Sequence, residues 1–287
     1  MRRLLLTTAA ASLVMLTACS EWELGSNAFA DTGSGTGERV RLLTGAGALG
    51  SAAGDVRLIG GDIDSTLDTA DSARVAGADV RLTGQVGGAL EIAAAELVLD
   101  DVTAGSLDAA AADMRFSGSV SGPTRIRAAD LQFDGRAGPI EAQLADAVFR
   151  GAAGEMTIQA ADLVLDRGFT AASLHADVAD FMHRGSVQGD LDVQAHTAVL
   201  DGPVLGELAL YADPGRRPHG RDAGRVEISG AIADGFICAR TVSVSGPVSG
   251  ALTILADEQP SLSGAALTAD ITYSPRNGDR CERGMED

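Results

Sequence analysis

Lysine is absent from this chain of 287 residues, so its 22 Lys-or-Arg positions are all arginines. The 40 acidic residues outnumber them and leave a formal net charge of −18. A nucleic-acid partner is therefore not expected, because such a chain cannot neutralise phosphates. Aromatic residues are also scarce, at 3%. Compact enzymes usually spend more aromatic side chains on their core and pocket walls, so the composition also argues against an enclosed catalytic pocket.

Cysteine is rare as well, and the first of the three lies in a segment typical of secreted proteins. Arg2 and Arg3 precede an apolar run over residues 4–16, which is shorter than the ~20 apolar residues that cross a bilayer. The tetrapeptide Leu16-Thr17-Ala18-Cys19 resembles the lipobox of bacterial lipoprotein precursors. The resemblance implies removal of residues 1–18, acylation of Cys19 and, with Ser20 next, sorting to the outer membrane. A cleaved signal peptide with a coincidental cysteine is the alternative.

The remaining chain divides by composition and periodicity. Residues 19–38 have little periodicity and few apolar side chains, which predicts a flexible lipidated tether. Residues 39–273 are periodic except for the polar, Pro- and Gly-rich stretch 213–224, which predicts a surface insertion. Residues 274–287 have no apolar pattern and are predicted to be a C-terminal cap or tail.

The periodic region repeats every 16 to 18 residues in two separate columns. An acidic residue followed by an apolar one recurs at positions 79, 96, 113, 130, 146, 162 and 180. A pair of inward positions keeps the same step, at Leu90/Ile92, Leu107/Ala109, Thr124/Ile126, Ile140/Ala142, Met156/Ile158, Leu174/Ala176, Leu191/Val193 and Leu208/Leu210. Such self-similarity is the signature of a repeat architecture.

Within each repeat the apolar residues alternate with polar ones, which indicates extended strands. The period is too short for a propeller blade or a helical repeat. It fits one turn of an all-β, single-stranded parallel β-solenoid with about 17 residues and three short strands per turn, and roughly a dozen turns. The step from Val56 to Val80 is longer than one turn, which predicts a bulged-out loop around Asp62 to Arg74.

A glycine cadence adds a family resemblance. The segments Gly84-Gln85-Val86-Gly87-Gly88, Gly118-Ser119-Val120-Ser121-Gly122, Gly185-Ser186-Val187-Gln188-Gly189 and Gly246-Pro247-Val248-Ser249-Gly250 each precede a strand. This Gly-x-Val-x-Gly pattern, over most of residues 75–273, resembles the bactofilins, which are polymer-forming β-solenoid proteins, and the secreted adhesin-head-like solenoids. The resemblance implies a solenoid body able to self-associate, and it brings no catalytic residue.

Two outward columns contain the candidate chemistry. The acidic column is either a cation-binding edge or a set of carboxylates that accept hydrogen bonds from their own turns; it comprises Asp55, Asp79, Glu96, Asp113, Asp130, Asp146, Asp162 and Asp180. The second column places His175 beside Asp192, as two members of a catalytic triad would be, although cross-strand ion pairing explains it better; it comprises Glu91, Asp108, Arg125, Glu141, Thr157, His175 and Asp192.

The other histidines are weaker candidates. His183 falls in the inward slot that Leu165 occupies one turn earlier, which predicts a hydrogen-bonded core histidine or a local distortion. His196 and His219 are isolated, and no spacing matches a metal site. We therefore expect no catalytic residue, no metal ligand and no cofactor.

Cys238 and Cys281 form an even pair once Cys19 is acylated, which in an oxidising compartment favours a disulfide between them. Two independent thiols are the alternative. Aligning Phe236-Ile237-Cys238 with Leu90-Glu91-Ile92 predicts an inward or near-inward Cys238. A bridge to Cys281 would then hold the tail as a cap over the end of the solenoid.

These features predict a non-catalytic structural or scaffolding lipoprotein of the cell envelope. Its partners would be the membrane, through the lipid anchor at Cys19, and either a further copy of itself or another envelope component. Two alternatives remain. One is a surface adhesin or binding module that uses the loops near 62–74 and 213–224. The other is an envelope polysaccharide lyase, which the lack of lysine and aromatic residues disfavours.

Overall fold

The computed structural model describes residues 39–42, 54–212, 224–276 and 281. The fold is nearly all β and is a parallel β-solenoid of about 12 turns with ~17 residues per turn, which confirms the predicted fold class. In the described part of the chain, no helix is long and apolar enough to cross a membrane. The predicted signal peptide, the tether with Cys19, residues 213–223 and most of the tail lie outside the described residues.

The chain divides into two compact units, residues 1–131 and 132–287. Strand β8 (Thr124–Ala137) contains the boundary. The strands of the first unit are β1 (Arg39–Leu42), β2 (Val56–Ile59), β3 (Asp62–Thr69), β4 (Ala73–Ala76), β5 (Asp79–Ala93), β6 (Glu96–Ala110) and β7 (Asp113–Val120).

Parallel pairing in the first unit advances by one turn at each step. Val56 pairs with Ala73, which pairs with Leu90, and Leu90 pairs with Leu107. Each step is 17 residues, so like residues stack upon like and their apolar side chains share one interior. The buried side chains of Leu82 and Leu90 illustrate this core. A turn of this kind buries nothing by itself and is stabilised by its neighbours.

The predicted loop around Asp62 to Arg74 was wrong, because this segment is strand. β3 (Asp62–Thr69) pairs residue by residue with β5, and Ala73 of β4 lies directly between Val56 and Leu90. The polar composition of β3 hides this regularity, since two of its inward positions are hydroxyl residues. Thr69 is buried and donates its hydroxyl hydrogen bond to the Gly54 carbonyl at 3.0 Å, so a polar inward slot is satisfied by the backbone.

The second unit continues the same construction with strands interrupted at the corners. A complete turn has the three predicted strands, as in β12, β13 and β14. The strands are β9 (Ile140–Gln159), β10 (Asp162–Leu165), β11 (Thr170–Asp177), β12 (Asp180–His183), β13 (Ser186–Val187), β14 (Leu191–Ala195), β15 (Thr197–Leu200), β16 (Val204–Ala212), β17 (Arg225–Ile228), β18 (Ile232–Ala239), β19 (Thr241–Val244), β20 (Ala251–Ala256), β21 (Ser261–Leu262) and β22 (Asp270–Pro275). A 3-10 helix, Gly264–Thr268, lies between β21 and β22.

Phenylalanine fills part of the interior of this unit. The ring of Phe149 lies 5.5 Å from that of Phe133 and 5.8 Å from that of Phe169, centroid to centroid. All three side chains are fully buried. Burying a phenylalanine side chain of this kind stabilises a fold by about 1.5–3 kcal/mol. Three of the seven phenylalanines of the chain are thus used for packing between turns.

The Gly-x-Val-x-Gly cadence has a steric cause in two of its copies. Gly84 and Gly118 adopt φ values of 102° and 131°, which L-residues with a side chain rarely adopt. A Cβ on Gly84 would lie 2.0 Å from the Leu67 carbonyl oxygen of the preceding turn, and one on Gly118 would lie 2.1 Å from that of Val102. Glycine lets successive turns approach closely at this corner.

A β-bulge shifts the register between β16 and β18 by one residue. Val204 pairs with Ile232, whereas Glu207 pairs with Asp234, so two residues of β16 oppose one of β18. The sequence-based alignment of Cys238 with Ile92 was therefore off by one. Cys238 pairs with Tyr211, while Ile237 takes the inward slot beside Leu210.

Candidate functional site

The acidic column is real but begins at a different residue from the one predicted. In the first unit Asp62, Asp79, Glu96 and Asp113 lie in register on successive turns. Asp55 is not a member of the acidic column, because the residue next to it, Val56, pairs with Ala73. Oδ1 of Asp55 instead accepts a hydrogen bond from the Ser72 N–H at 3.1 Å. The prediction for Asp55 was wrong because it treated Val56 and Val80 as equivalent positions of the repeat. In the structure Val56 pairs with Ala73 and Val80 pairs with Ile63.

In the second unit the same column runs through Asp146, Asp162, Asp180 and Thr197. Partial burial raises the pKa of the Asp162 carboxyl, and the adjacent Asp146 and Asp180 carboxylates raise it further. Thr197 donates a hydroxyl hydrogen bond to Asp180. The column is thus a ladder of mutually repelling charges that is relieved at Thr197 by a neutral donor.

The acidic column provides no formed metal site. Among the described residues, no group of three or more His, Cys, Asp or Glu side chains is arranged to hold a metal ion. In the first unit the carboxylates of Asp62, Asp79 and Glu96 line an open depression of about 240 Å³ with Arg81. The depression is open to solvent, and the carboxylates of the ladder form a charged surface there.

The second outward column pairs opposite charges across turns. In the first unit Arg74 Nε lies 2.8 Å from Glu91 Oε2, and Asp108 lies in register with Arg125. More than half of the Arg74 side chain is exposed, and exposed ion pairs contribute about 0.2–1 kcal/mol each. These pairs offset charge repulsion on the sheet face and do little more.

His175 and Asp192 form the predicted contact. Nδ1 of His175 lies 3.1 Å from Oδ2 of Asp192 on the next turn, and the two residues pair in register. Both side chains are partly exposed on a parallel sheet face, with Thr157 on the preceding turn. In a triad the nucleophile and the carboxylate flank the imidazole, and Thr157 and Asp192 do lie on the turns to either side of His175. The contact between His175 and Asp192 is a cross-strand pair on a part-exposed sheet face.

His183 occupies the predicted inward slot but differs from the predicted hydrogen-bonded histidine. It stacks between Leu165 and Leu200 in the ladder, is fully buried, and lies parallel to the Phe181 ring at 6.2 Å. Neither ring nitrogen has a hydrogen-bond partner among the described residues. Burial lowers the pKa of His183 to about 4, and the Asp201 carboxylate opposes this shift. Burial thus favours the neutral form of this core imidazole.

The C-terminal tail is attached to the second unit at two points. Cys238 and Cys281 form a disulfide with their Cα atoms 5.4 Å apart, and both are buried. Cys238 lies at an outward position of β18, so the tail residue Cys281 covers the sheet face. Arg276 is buried and donates to both carboxylate oxygens of Asp257 at 2.8 and 2.7 Å.

Arg276 also connects these two attachments, which the sequence pattern did not indicate. Its Nη1 lies 3.4 Å from Cys281 Sγ. Its hydrogen bonds lower the pKa of the Asp257 carboxyl. The Arg276 side chain is far more buried than Arg74 or Arg150 in the other ion pairs, so we expect its pair with Asp257 to contribute more to holding the tail.

Tyr211 and Phe236 were also missed by the sequence analysis. Of the aromatic residues that the structure describes, they are the two at outward strand positions, and their ring centroids lie 5.7 Å apart at 48°. Both rings are partly exposed. Only the register of β16 against β18 brings them together, because they are 25 residues apart in the chain.

The candidate surfaces are therefore two outward columns, the tail attachment and an aromatic pair. Compared with protein-family models, with curated proteins and with solved structures, the chain matches none of them.

Proposed function

We propose that this chain is a non-catalytic structural or scaffolding lipoprotein of the bacterial cell envelope. The observation that carries the proposal is the parallel pairing of successive turns within each unit, which continues through the β-bulges. Polar outward side chains pair with the next turn, as Arg74 does with Glu91 and Arg150 with Asp166. A surface whose side chains pair between turns supports the stacking of turns into a stiff body, as a scaffold requires.

The likeness to bactofilins supports self-association as the mode of scaffolding. Among the described strands, the last one, β22, pairs with β20 along one edge. A strand edge presents N–H and C=O groups that can pair with a further strand. The exposed side chain of Leu267 lies in the 3-10 helix that precedes β22. The end of the second unit thus offers both hydrogen-bonding groups and apolar surface to another copy.

The adhesin alternative has lost one of its two supports. It relied on loops near 62–74 and 213–224, and the first of these is regular strand. The second lies outside the described residues except for Gly224. We therefore prefer the scaffold.

Electron microscopy and sedimentation of the purified chain test the scaffold proposal. We expect concentration-dependent filaments or end-to-end oligomers at micromolar concentration, because strand edges pair cooperatively. Discrete monomers at all concentrations would favour a binding module instead.

The anchor is tested separately at Cys19. We expect Cys19→Ser to leave unprocessed precursor or to release the protein from the outer-membrane fraction, because the acyl chains supply the membrane affinity at about 0.8 kcal/mol per buried methylene. Ser20→Thr, next to the acceptor, is the matched control and should leave the protein in the membrane. Membrane retention that is unchanged by Cys19→Ser would contradict the lipoprotein assignment.

A further inference from the structure

The last strand of the second unit contributes little buried surface of its own. β22 (Asp270–Pro275) pairs in parallel register with β20, yet none of its six residues is buried. In β20, by contrast, Leu252, Ile254 and Ala256 are buried. The Tyr273 hydroxyl of β22 donates a long hydrogen bond, of 3.5 Å, to the Ala256 carbonyl. The position of β22 therefore depends on its pairing with β20 and on whatever holds the chain beyond it.

The chain that follows β22 is fastened to two earlier turns. Arg276 comes directly after Pro275 and binds the carboxylate of Asp257, the residue after β20. Cys281 is bonded to Cys238 of β18, one turn further back. Arg276 and both cysteines are buried, although β22 itself is not. We call these two attachments, the Arg276–Asp257 pair and the Cys238–Cys281 bridge, the latch.

The two parts of the latch are in contact with each other. Nη1 of Arg276 lies 3.4 Å from Sγ of Cys281, so the bridged cysteine packs against the guanidinium that pairs with Asp257. Opening the bridge removes the covalent attachment and leaves the ion pair alone to hold the end of β22. Because β22 has no buried side chain, we expect this strand to fray first.

We propose that the Cys238–Cys281 bridge is a redox latch that controls self-association at the end of the second unit. This inference rests on the scaffold proposal, in which the edge of β22 pairs with another copy. A strand edge acts as a template only while its N–H and C=O groups stay in a continuous row. With the bridge closed, β22 remains paired with β20 and presents that row. With the bridge reduced, β22 frays and association weakens.

A dithiol reductant opens the latch in two balanced steps. One thiolate of the reagent attacks Sγ of Cys238, forms a mixed disulfide and releases Cys281 as a thiolate, which the adjacent Arg276 guanidinium stabilises. The second thiolate of the reagent then attacks the reagent sulfur of the mixed disulfide and releases Cys238. The reagent becomes a cyclic disulfide. Its two electrons and two protons pass to the cysteines, which become thiols.

Sedimentation of the full chain in its oxidised and reduced forms tests the proposal. Every sample contains Cys19→Ser, so that Cys238 and Cys281 are the remaining cysteines. Dithiothreitol is the reductant, and alkylation followed by mass spectrometry reports the state of both cysteines. We expect reduction to raise the apparent dissociation constant of association about tenfold, because only chains with an ordered β22 are competent to associate. Hydrogen exchange should show β22 losing protection in the same samples.

Three variants separate the bridge from the ion pair and from overall charge. Cys238→Ala with Cys281→Ala should associate as weakly as the reduced chain and should not respond to dithiothreitol. Arg276→Gln keeps the bridge, so we expect its association to weaken less and to remain sensitive to the reductant. Arg115→Gln is the matched control, because it removes one arginine from an exposed position of β7 in the first unit. It should associate like the parent in both redox states.

Two results would overturn the latch and spare the scaffold proposal. Equal association of the oxidised and reduced chains would show that the bridge does not control this surface. Stronger association after reduction would show that opening the latch uncovers a sticky surface, such as the edge of β20, in place of removing one. If the oxidised chain itself does not associate at any concentration, the scaffold proposal fails and the latch fails with it.

Discussion

Replacing Cys238 and Cys281 together by alanine is expected to lower the free energy of unfolding by about 4 kcal/mol. The bridge spans 43 residues of sequence, and closing a loop of that length in the unfolded chain accounts for the magnitude. The effect should be largest near the bridge. We expect amide hydrogens of β20 and β22 to lose protection in hydrogen exchange, while those of β5 and β6 keep theirs. Urea denaturation supplies the free energy.

Reduction of the unmodified chain is the matched control for that substitution. It removes the cross-link and keeps both sulfur atoms, so any difference from the double alanine variant measures their packing. The Arg276–Asp257 ion pair remains in both cases and should keep part of the tail attached. If denaturation and exchange are the same in the alanine variant and the oxidised parent, the bridge does not stabilise this end of the unit.

His183→Leu is expected to stabilise the protein and to flatten its pH dependence. The folded-state pKa is about 4, against an ordinary value of 6.5, so the unfolded chain binds a proton at a higher pH than the native chain. Stability is therefore complete above pH 6.5, falls as the pH drops from 6.5 to 4, and loses nothing more from this group below 4. At pH 4.5 the loss relative to pH 7 is about 2.5 kcal/mol.

Leucine is the natural replacement because Leu165 and Leu200 occupy the same slot on the neighbouring turns. It also removes two buried ring nitrogens without partners among the described residues, which should add about 1–3 kcal/mol at pH 7. Urea denaturation at pH 7 and pH 4.5 measures both effects. If the free energy of unfolding of His183→Leu falls between pH 7 and pH 4.5 as much as that of the parent, the pH dependence does not come from His183.

The repeat made the solenoid predictable, because stacking like on like requires a constant period in both the acidic and the apolar columns. The same logic placed His175 beside Asp192 and His183 in the core. It failed at β3, where Ser65 and Thr69 replace apolar residues at inward positions. A hydrophobic pattern cannot identify a strand whose inward side chains are polar.

The candidate surfaces were less predictable than the core. The even number of remaining cysteines pointed to the bridge, but nothing in the pattern pointed to Arg276, whose partners are Asp257 and Cys281. Its role depends on how the tail crosses the sheet face. Tyr211 and Phe236 are distant in sequence and meet through a bulge that has no clear sequence signal.

The sequence by itself determined the fold class, the length of a turn, the two columns and the identity of most core residues. The physical reason is that alternation within a strand and stacking between turns are both periodic in sequence. Only the tertiary structure decided the register after the bulge, and hence that Cys238 and Phe236 point outward. One extra residue in β16 reverses the faces of everything that follows in β18, and no period records it.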